Sequence, residues 1–307
     1  MQNQLLKPPG IGTNPTPKAT LAEVTKTWVS ESSIAGWFHD SPLFDYLLHM
    51  VWNPKNSVCV VTGASSGIGR CLCQQLIESG GTVVPVARRE QRLNELREIS
   101  PAQVHPVVGD ITDPAVRQKV LEIAASQRDG AVDLLVNNAG IGAIGSFDKA
   151  NESRMRQIME VNFFAPVELT RAFIPALRKG NNSVICNISS VLGHRAVPDK
   201  SEYCASKFAM HGWSDSLRAE LARDSVQVTL VSPSTTSSEF FDSLVGTSAD
   251  QKSKSFGSWS PARVASAAFS AIKKRRSEVI LSLGGKALVY SDRISPPILN
   301  CILKKKG

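Results

Sequence analysis

The stretch "VCVVTGASSGIGR", Val58 to Arg70, decides the fold. It opens as an apolar β-branched run, is broken by Gly63, Gly67 and Gly69, and continues as a helical pattern to about Glu78. A strand that enters a glycine-rich turn and leaves as a helix offers an anion unpaired N–H groups and the positive end of a helix dipole. The glycines let the backbone approach a pyrophosphate closely. In that context the turn predicts dinucleotide binding, with Gly63, Ser65, Ser66, Gly67, Ile68 and Gly69 as the contacting residues.

Outward from this turn, short β-branched runs alternate with longer helical patterns. The runs are TVVPVA (82–87), VHPVV (104–108), VDLLV (132–136), SVICNI (183–188), VQVTLV (226–231) and EVIL (278–281). Strand–helix repetition of this kind specifies a parallel sheet covered on both faces, and right-handed crossovers make it a doubly wound α/β fold. Pro85 is awkward inside its run, because it cannot donate to the ladder.

The chain has 307 residues, 42% apolar and 20% charged, which suits one large globular domain with extensions. The formal charge of +8 sits in scattered clusters, Arg88-Arg89, Lys273 to Arg276 and Lys304 to Lys306, with no nucleic-acid motif beside them. Six cysteines lie mostly in apolar runs, without CxxC or histidine at metal-ligand spacing, and the five histidines are dispersed. The expectation is a reduced, cytoplasmic protein without a metal site.

Residues 1–30 are rich in Pro, Thr and Lys and read as a disordered arm without the apolar stretch of a secretory signal. No segment approaches the roughly 20 apolar residues of a membrane span. In "SPLFDYLLHMVW" (41–52), Ser41 caps and Pro42 opens a helix with Leu43, Phe44, Leu47, Leu48 and Val51 on one face. Near the other end, Pro296-Pro297 precede Ile298, Leu299, Cys301 and Ile302, and then three lysines. Both pieces are amphipathic, and they suit packing on the protein or a sister subunit, with weak peripheral membrane contact as the alternative. The boundaries drawn are an N-terminal extension 1–54, a domain 55–285 and a basic tail 286–307.

The chemistry concentrates in "SEYCASK" (201–207), where Tyr203 and Lys207 lie one helical turn apart on one face. A free tyrosine ionises near about 10, too high for proton exchange near neutrality. An ammonium and the positive charge of an oxidised nicotinamide favour the phenolate, and a lowering of ~3 units corresponds to roughly 4 kcal/mol. Ser190, at the end of the fifth run, is placed to donate a hydrogen bond to a carbonyl oxygen as charge develops there. Where a NAD-selective fold places a carboxylate for the ribose, this chain has Ala87-Arg88-Arg89. A guanidinium at Arg88 pairs with a 2'-phosphate, so NADP(H) is expected over NAD(H); in the alternative the arginines are only exposed and Glu90 binds the ribose.

"TGASSGIG", "NNAG" (137–140), Ser190 and "YCASK" occur here in the order and spacing of the classical short-chain dehydrogenases/reductases, which the chain resembles from about Val58 to Leu281. The resemblance implies a seven-stranded Rossmann sheet, hydride transfer to or from a nicotinamide, and a homodimer or homotetramer. It implies Asp110 and Ile111 around the adenine, Asn138 beside the adenosine ribose, and Asn162 in "EVNFF" as a water-holding catalytic residue. Lys207 would also hold the nicotinamide ribose, and the spacing selects Ser190 over Ser189. The chain departs from the family in "SPSTTSSEFF", with Ser234 for the usual glycine and Ser238 for the threonine near the carboxamide.

Beyond that loop, Phe240, Phe241, Leu244, Val245, Phe256 and Trp259 suit a lid over a lipophilic carbonyl or alcohol, or anchoring in the core. The expected function is an NADPH-dependent carbonyl reductase, reversible as an alcohol dehydrogenase, on a small-molecule substrate. The rival from another class is a catalytically idle NADP-binding scaffold. A sugar-nucleotide epimerase or dehydratase would have another glycine spacing and a larger C-terminal domain.

Overall fold

The computed structural model describes residues 51–236, 244–246 and 258–304. The seven apolar runs form one parallel sheet: β1 (Val58–Thr62), β2 (Thr82–Ala87), β3 (Val107–Val108), β4 (Leu134–Asn137), β5 (Val184–Ile188), β6 (Gln227–Ser232) and β7 (Glu278–Ile280), in the order β3-β2-β1-β4-β5-β6-β7. Between them run α1 (Gly67–Glu78), α2 (Glu90–Ile99), α3 (Pro114–Ser126), α4 (Glu152–Met159), α5 (Ala165–Lys179), α6 (Ser201–Glu220) and α7 (Pro261–Lys273). After β7 come α8 (Leu283–Ile294) and α9 (Pro296–Lys304).

Alternation along the strands divides the core in two. Cys59, Val61, Val83, Leu134, Val136 and Cys186 face one way, onto Leu72 and Leu76 of α1, Leu93 and Leu96 of α2, and Val264 and Ala268 of α7. Val58, Val60, Val84, Val86, Leu135 and Ile185 face the other way, onto Val120 of α3, Leu169 and Phe173 of α5, and Leu217 of α6. Every strand of the sheet's middle is therefore apolar on both faces, which is why those runs are continuous rather than alternating. The chain order reverses between β1 and β4, and a doubly wound sheet opens a crevice at that point, beyond the strands' carboxyl ends.

Pro85 lies inside β2, opposite Val61 of β1. Thr82 N–H points to Ser57 on the β1 side and Val83 N–H to Gln103 on the β3 side, so strand alternation turns the Pro85 nitrogen toward β3. The neighbouring strand is broken there: it bridges at Val104, loses the ladder at His105-Pro106, and resumes as the two-residue β3. The missing donor thus falls where no acceptor is lined up, and the expected run 104–108 shortens for that reason.

Two flanking expectations change. Val51 and Trp52, read as the end of a helix over 41–52, are in irregular backbone, and Trp52 is buried in the core with its backbone N–H on Lys273 O at 2.9 Å. The rest of that helix and the arm 1–30 lie outside the described residues. At the other end, α8 crosses the boundary drawn at 285, and both C-terminal helices belong to the same compact unit as the sheet. Among the described residues no helix is long and apolar enough to cross a membrane.

Candidate active site

The crevice beyond β1 and β4 is a cleft of about 1620 Å³. At one end the glycine turn folds as β1 ends. Gly63 has φ +67°, and a Cβ there would come within 2.9 Å of Ala139 Cα; a Cβ on Gly69 would meet Gly63 O at 2.5 Å. Only glycine fits both positions. Asn138 closes the turn from the neighbouring strand, its Nδ2 donating to Thr62 O at 2.9 Å and Gly63 O at 3.3 Å. Thr62 Oγ1 returns the tie by accepting from Asn138 N and Ala139 N, both at 3.0 Å. Ser66 is the N-cap of α1 and makes no side-chain cap, so the first-turn N–H groups face the cleft uncapped by it.

Gly63, Ser65, Ser66, Gly67, Ile68, Arg88, Asp110, Ile111 and Asn138 all line this end, whereas Glu90 opens α2 outside the lining. Arg88 is exposed, with a long 3.8 Å ion pair to Asp110. Arg89 is the neighbour that carries more structure: its Nε and a terminal nitrogen donate to Ser65 Oγ at 3.1 and 3.0 Å. A guanidinium is thereby fixed on the glycine turn itself. The sequence marked the arginine pair but gave no reason to couple its second member to Ser65, 24 positions away.

At the other end, β5 delivers Ser190 and α6 delivers Tyr203 and Lys207. A buried polar ladder fixes the register between them: Asn137 Nδ2 bonds Thr170 Oγ1 and Asn187 Oδ1, and Asn187 Nδ2 bonds Ser214 Oγ, at 2.8 to 3.0 Å. Ser190 Oγ accepts from Leu192 N at 3.1 Å and hydrogen-bonds Tyr203. Lys207, 5% exposed, has its Nζ 5.7 Å from the Tyr203 ring centroid and donates to Ile188 O at 3.0 Å. Ser189 turns instead toward Lys207 O, at 3.5 Å.

Asn162 is buried in a π-helical turn, Glu160–Phe164, between α4 and α5. Its Oδ1 accepts from Ile141 N at 2.8 Å, while its Nδ2 donates to Ile141 O and to Ser206 Oγ. Both amide N–H bonds are spent, so toward water the side chain offers only an acceptor. A Cβ placed on Gly140 would lie 3.2 Å from that Oδ1 and 3.8 Å from Lys207 Nζ, which puts both groups over one backbone gap.

In the protein alone, without the nicotinamide charge that the expectation included, burial governs both groups. Burial pushes the Tyr203 phenol up to about 12, against the hydrogen bond from Ser190, and burial pushes the Lys207 ammonium down to about 8. The lysine turns to the Ile188 carbonyl and does not depress the tyrosine, so desolvation wins on both. In the protein alone Tyr203 is a neutral phenol, a proton donor rather than a base. Cys204, beside it, is buried with its thiol also pushed up, chiefly by burial, which suits packing.

The sequence left the far wall undrawn. Leu288 and Ser291 of α8 and Leu299 and Leu303 of α9 line the cleft opposite Val191 and Val197. Leu244 lines it too, held by Val245 N on Gly142 O at 2.9 Å and Arg154 on Gly246 O at 3.2 Å. Arg154 in turn is ion-paired at 2.6 Å with Glu202, the residue before Tyr203, and both are buried. Trp259 bridges back to Thr236 and packs against the core, while Ser238, Phe240, Phe241 and Phe256 lie outside the described residues.

A dinucleotide turn on one side of the switch point and a serine, tyrosine and lysine on the other define a nicotinamide-dependent oxidoreductase of the Rossmann class. The chain belongs to the short-chain dehydrogenase/reductase family: residues 57–248 match the short chain dehydrogenase pattern. It is 35% identical over 285 residues to a "Dehydrogenase/reductase SDR family protein 7-like" of Anopheles gambiae, covering 85% of this chain and 88% of that one. It is 36% identical over 186 residues to a 3-ketodihydrosphingosine reductase of Bacteroides thetaiotaomicron, covering 60% and 66%. A Burkholderia cenocepacia short chain dehydrogenase solved with NADP superposes with a TM-score of 0.70 at 27% identity, over 82% of this chain and 99% of that one. A Burkholderia phymatum relative solved with NAD also gives 0.70, at 25% identity, over 79% and 96%.

Proposed function

We propose that the protein is an NADP(H)-dependent reductase of lipophilic ketones, with Tyr203 as the proton donor. The observation that carries this reading is the pairing of a neutral, Ser190-bonded Tyr203 with an apolar wall across the same cleft. Bound in the cleft, the nicotinamide would supply the hydride, or accept it in the reverse direction. The glycine turn, the start of α1, Asp110, Ile111 and Asn138 would hold the dinucleotide. Ser65, Arg88 and Arg89 would read a 2'-phosphate, because two guanidiniums beside a hydroxyl match its charge and acceptors.

A substrate carbonyl oxygen at Tyr203 and Ser190 meets two hydroxyls. Ser190 orients it and Tyr203 transfers its proton as charge develops on that oxygen. Lys207, charged below about pH 8, would stabilise the phenolate left behind, and Asn162 would hold the return path for the proton. The wall of Leu244, Leu288, Leu299 and Leu303 favours a long acyl or alkyl substituent, in keeping with the relative named for a keto-sphingoid base.

The reading extends to lipid surfaces. Ile298 and Ile302 on the outer face of α9 are exposed beside Lys304, an arrangement suited to a peripheral, anionic bilayer contact. The deciding experiment is a panel of 3-keto lipids and short ketones with NADPH and NADH, followed by absorbance. Turnover of long-chain ketones with NADPH is expected; no turnover of any ketone with either cofactor would overturn the assignment.

A further inference from the structure

The histidines are dispersed along the sequence, yet the fold gathers two of them with a carboxylate further along α6, outside the lining of the cleft. His194 follows the turn that Ser190 opens, His211 lies four residues beyond Lys207 on α6, and Glu278 begins β7. One donor atom from each of the three lies within 4.8 Å of the others. His194 Nε2 is 2.9 Å from Glu278 Oε1, and the two imidazole rings meet edge to face, 4.4 Å between centroids at 75°. We propose that His194, His211 and Glu278 form a binding site for a divalent transition-metal cation of the zinc class.

Three arguments support this over a plain hydrogen-bonded cluster. The donor set is two imidazoles and one carboxylate, which suits zinc and its neighbours and leaves a coordination position for water. The second argument is orientation from outside: Asp215 Oδ2 lies 3.4 Å from His211 Nε2, the kind of outer carboxylate that holds an imidazole whose other nitrogen ligates. The third is access, since His194 and His211 line a surface pocket of about 340 Å³ with Phe208, Gly212, Val289 and Asp292, between α6 and α8. Binding would put the cation between His194 Nε2 and Glu278 Oε1, and any proton it displaces would leave to solvent.

The three ligands come from the Ser190 turn, from α6 and from the sheet edge. A cation joining them would brace Ser190, Tyr203 and Lys207 from behind without touching the cleft. The site is therefore expected to raise thermal stability whether or not the ketone reading holds.

The test uses the full chain, stripped with a chelator and titrated with Zn²⁺ by calorimetry and thermal unfolding, and with Co²⁺ by visible absorption. Expected are one cation per chain, a rise in Tm, and an affinity loss of at least about 100-fold in His211→Gln and in Glu278→Gln. A smaller loss of about tenfold is expected in Asp215→Asn, as for an outer partner. Unchanged affinity in both ligand variants, no binding by the unaltered chain, or a sulfur-to-cobalt charge-transfer band that places the ion on a cysteine would each overturn the proposal. The cobalt spectrum of the unaltered chain decides the matter even where a variant fails to fold.

Discussion

At the dinucleotide end of the cleft, the lining comes from turns next to β1, β2, β3 and β4, and neighbouring backbone braces it: Thr62 and Asn138 tie the glycine turn within a few ångströms. At the substrate end, residues as far apart as Ile144 and Leu303 meet across α4, α6, α8 and α9. The first region can be right locally and still work. The second exists only once the whole chain has folded, and long-range ties such as Arg154 to Glu202, 48 positions apart, and Asn162 to Ser206, 44 apart, hold α6. Damage at the two ends should accordingly differ in kind: selective and thermodynamically mild at the first, catalytic or structural at the second.

The largest effect is expected at the chemical step. Tyr203→Phe should lower kcat by about 10²- to 10⁴-fold, the usual worth of a general acid, while leaving cofactor affinity unchanged in a fluorescence titration. Comparable losses in kcat and in cofactor affinity would show that the two ends are not separable. Next comes Glu202→Ala, which strands a buried guanidinium and should cost about 3–5 kcal/mol in urea unfolding. A loss below about 1 kcal/mol would mean that water reaches Arg154, despite side chains only 4% and 1% exposed.

At the dinucleotide end, Arg88→Ala should weaken NADPH by about 1.5 to 3 kcal/mol, the scale of a hydrogen bond to a charged group, with NADH little changed. Arg89→Ala should do the same and also loosen Ser65, so a loss for both cofactors there and for NADPH alone at Arg88 would separate the two arginines. Equal losses for both cofactors at Arg88 would break the phosphate reading.

The pH profile is a finer test. With Lys207 titrating at about 8 in the folded protein and 10.5 as its ordinary value, kcat/KM for reduction should fall about tenfold per pH unit above 8. Stability should move oppositely: between 8 and 10.5 the unfolded chain binds the proton that the folded one has lost, so unfolding becomes harder as pH rises. A flat rate profile from 7 to 9.5 would remove Lys207's charge from the mechanism. The smallest effect is expected from Leu299→Ala, about 1 kcal/mol in kcat/KM for long-chain ketones and none for short ones.

The sheet was legible because both faces of each central strand are buried, which writes continuous β-branched runs into the sequence. The glycine turn was legible because its requirements, close backbone approach and an open helix start, fall within Gly63 to Gly69. What escaped was composite. Nothing near Glu202 announces Arg154, nothing near Arg89 announces Ser65, and nothing in the sequence of α8 and α9 says that Leu288, Leu299 and Leu303 reach the cleft. In the protein without its cofactor the Tyr203 phenol is raised, not depressed, for a related reason: charges are visible in a sequence, whereas desolvation is a property of everything packed around the group.

The shortening of the ladder at Pro85 and Pro106 also bears on how the molecule behaves in a crowded solution. The sheet ends in its two shortest strands, two residues in β3 and three in β7, against four to six elsewhere. Strand-to-strand accretion needs a row of unpaired N–H and C=O groups along an exposed edge, and neither edge offers more than a fragment of one. A proline that looks like a flaw in β2 thus goes with a sheet that gives a misfolded neighbour little to grow on.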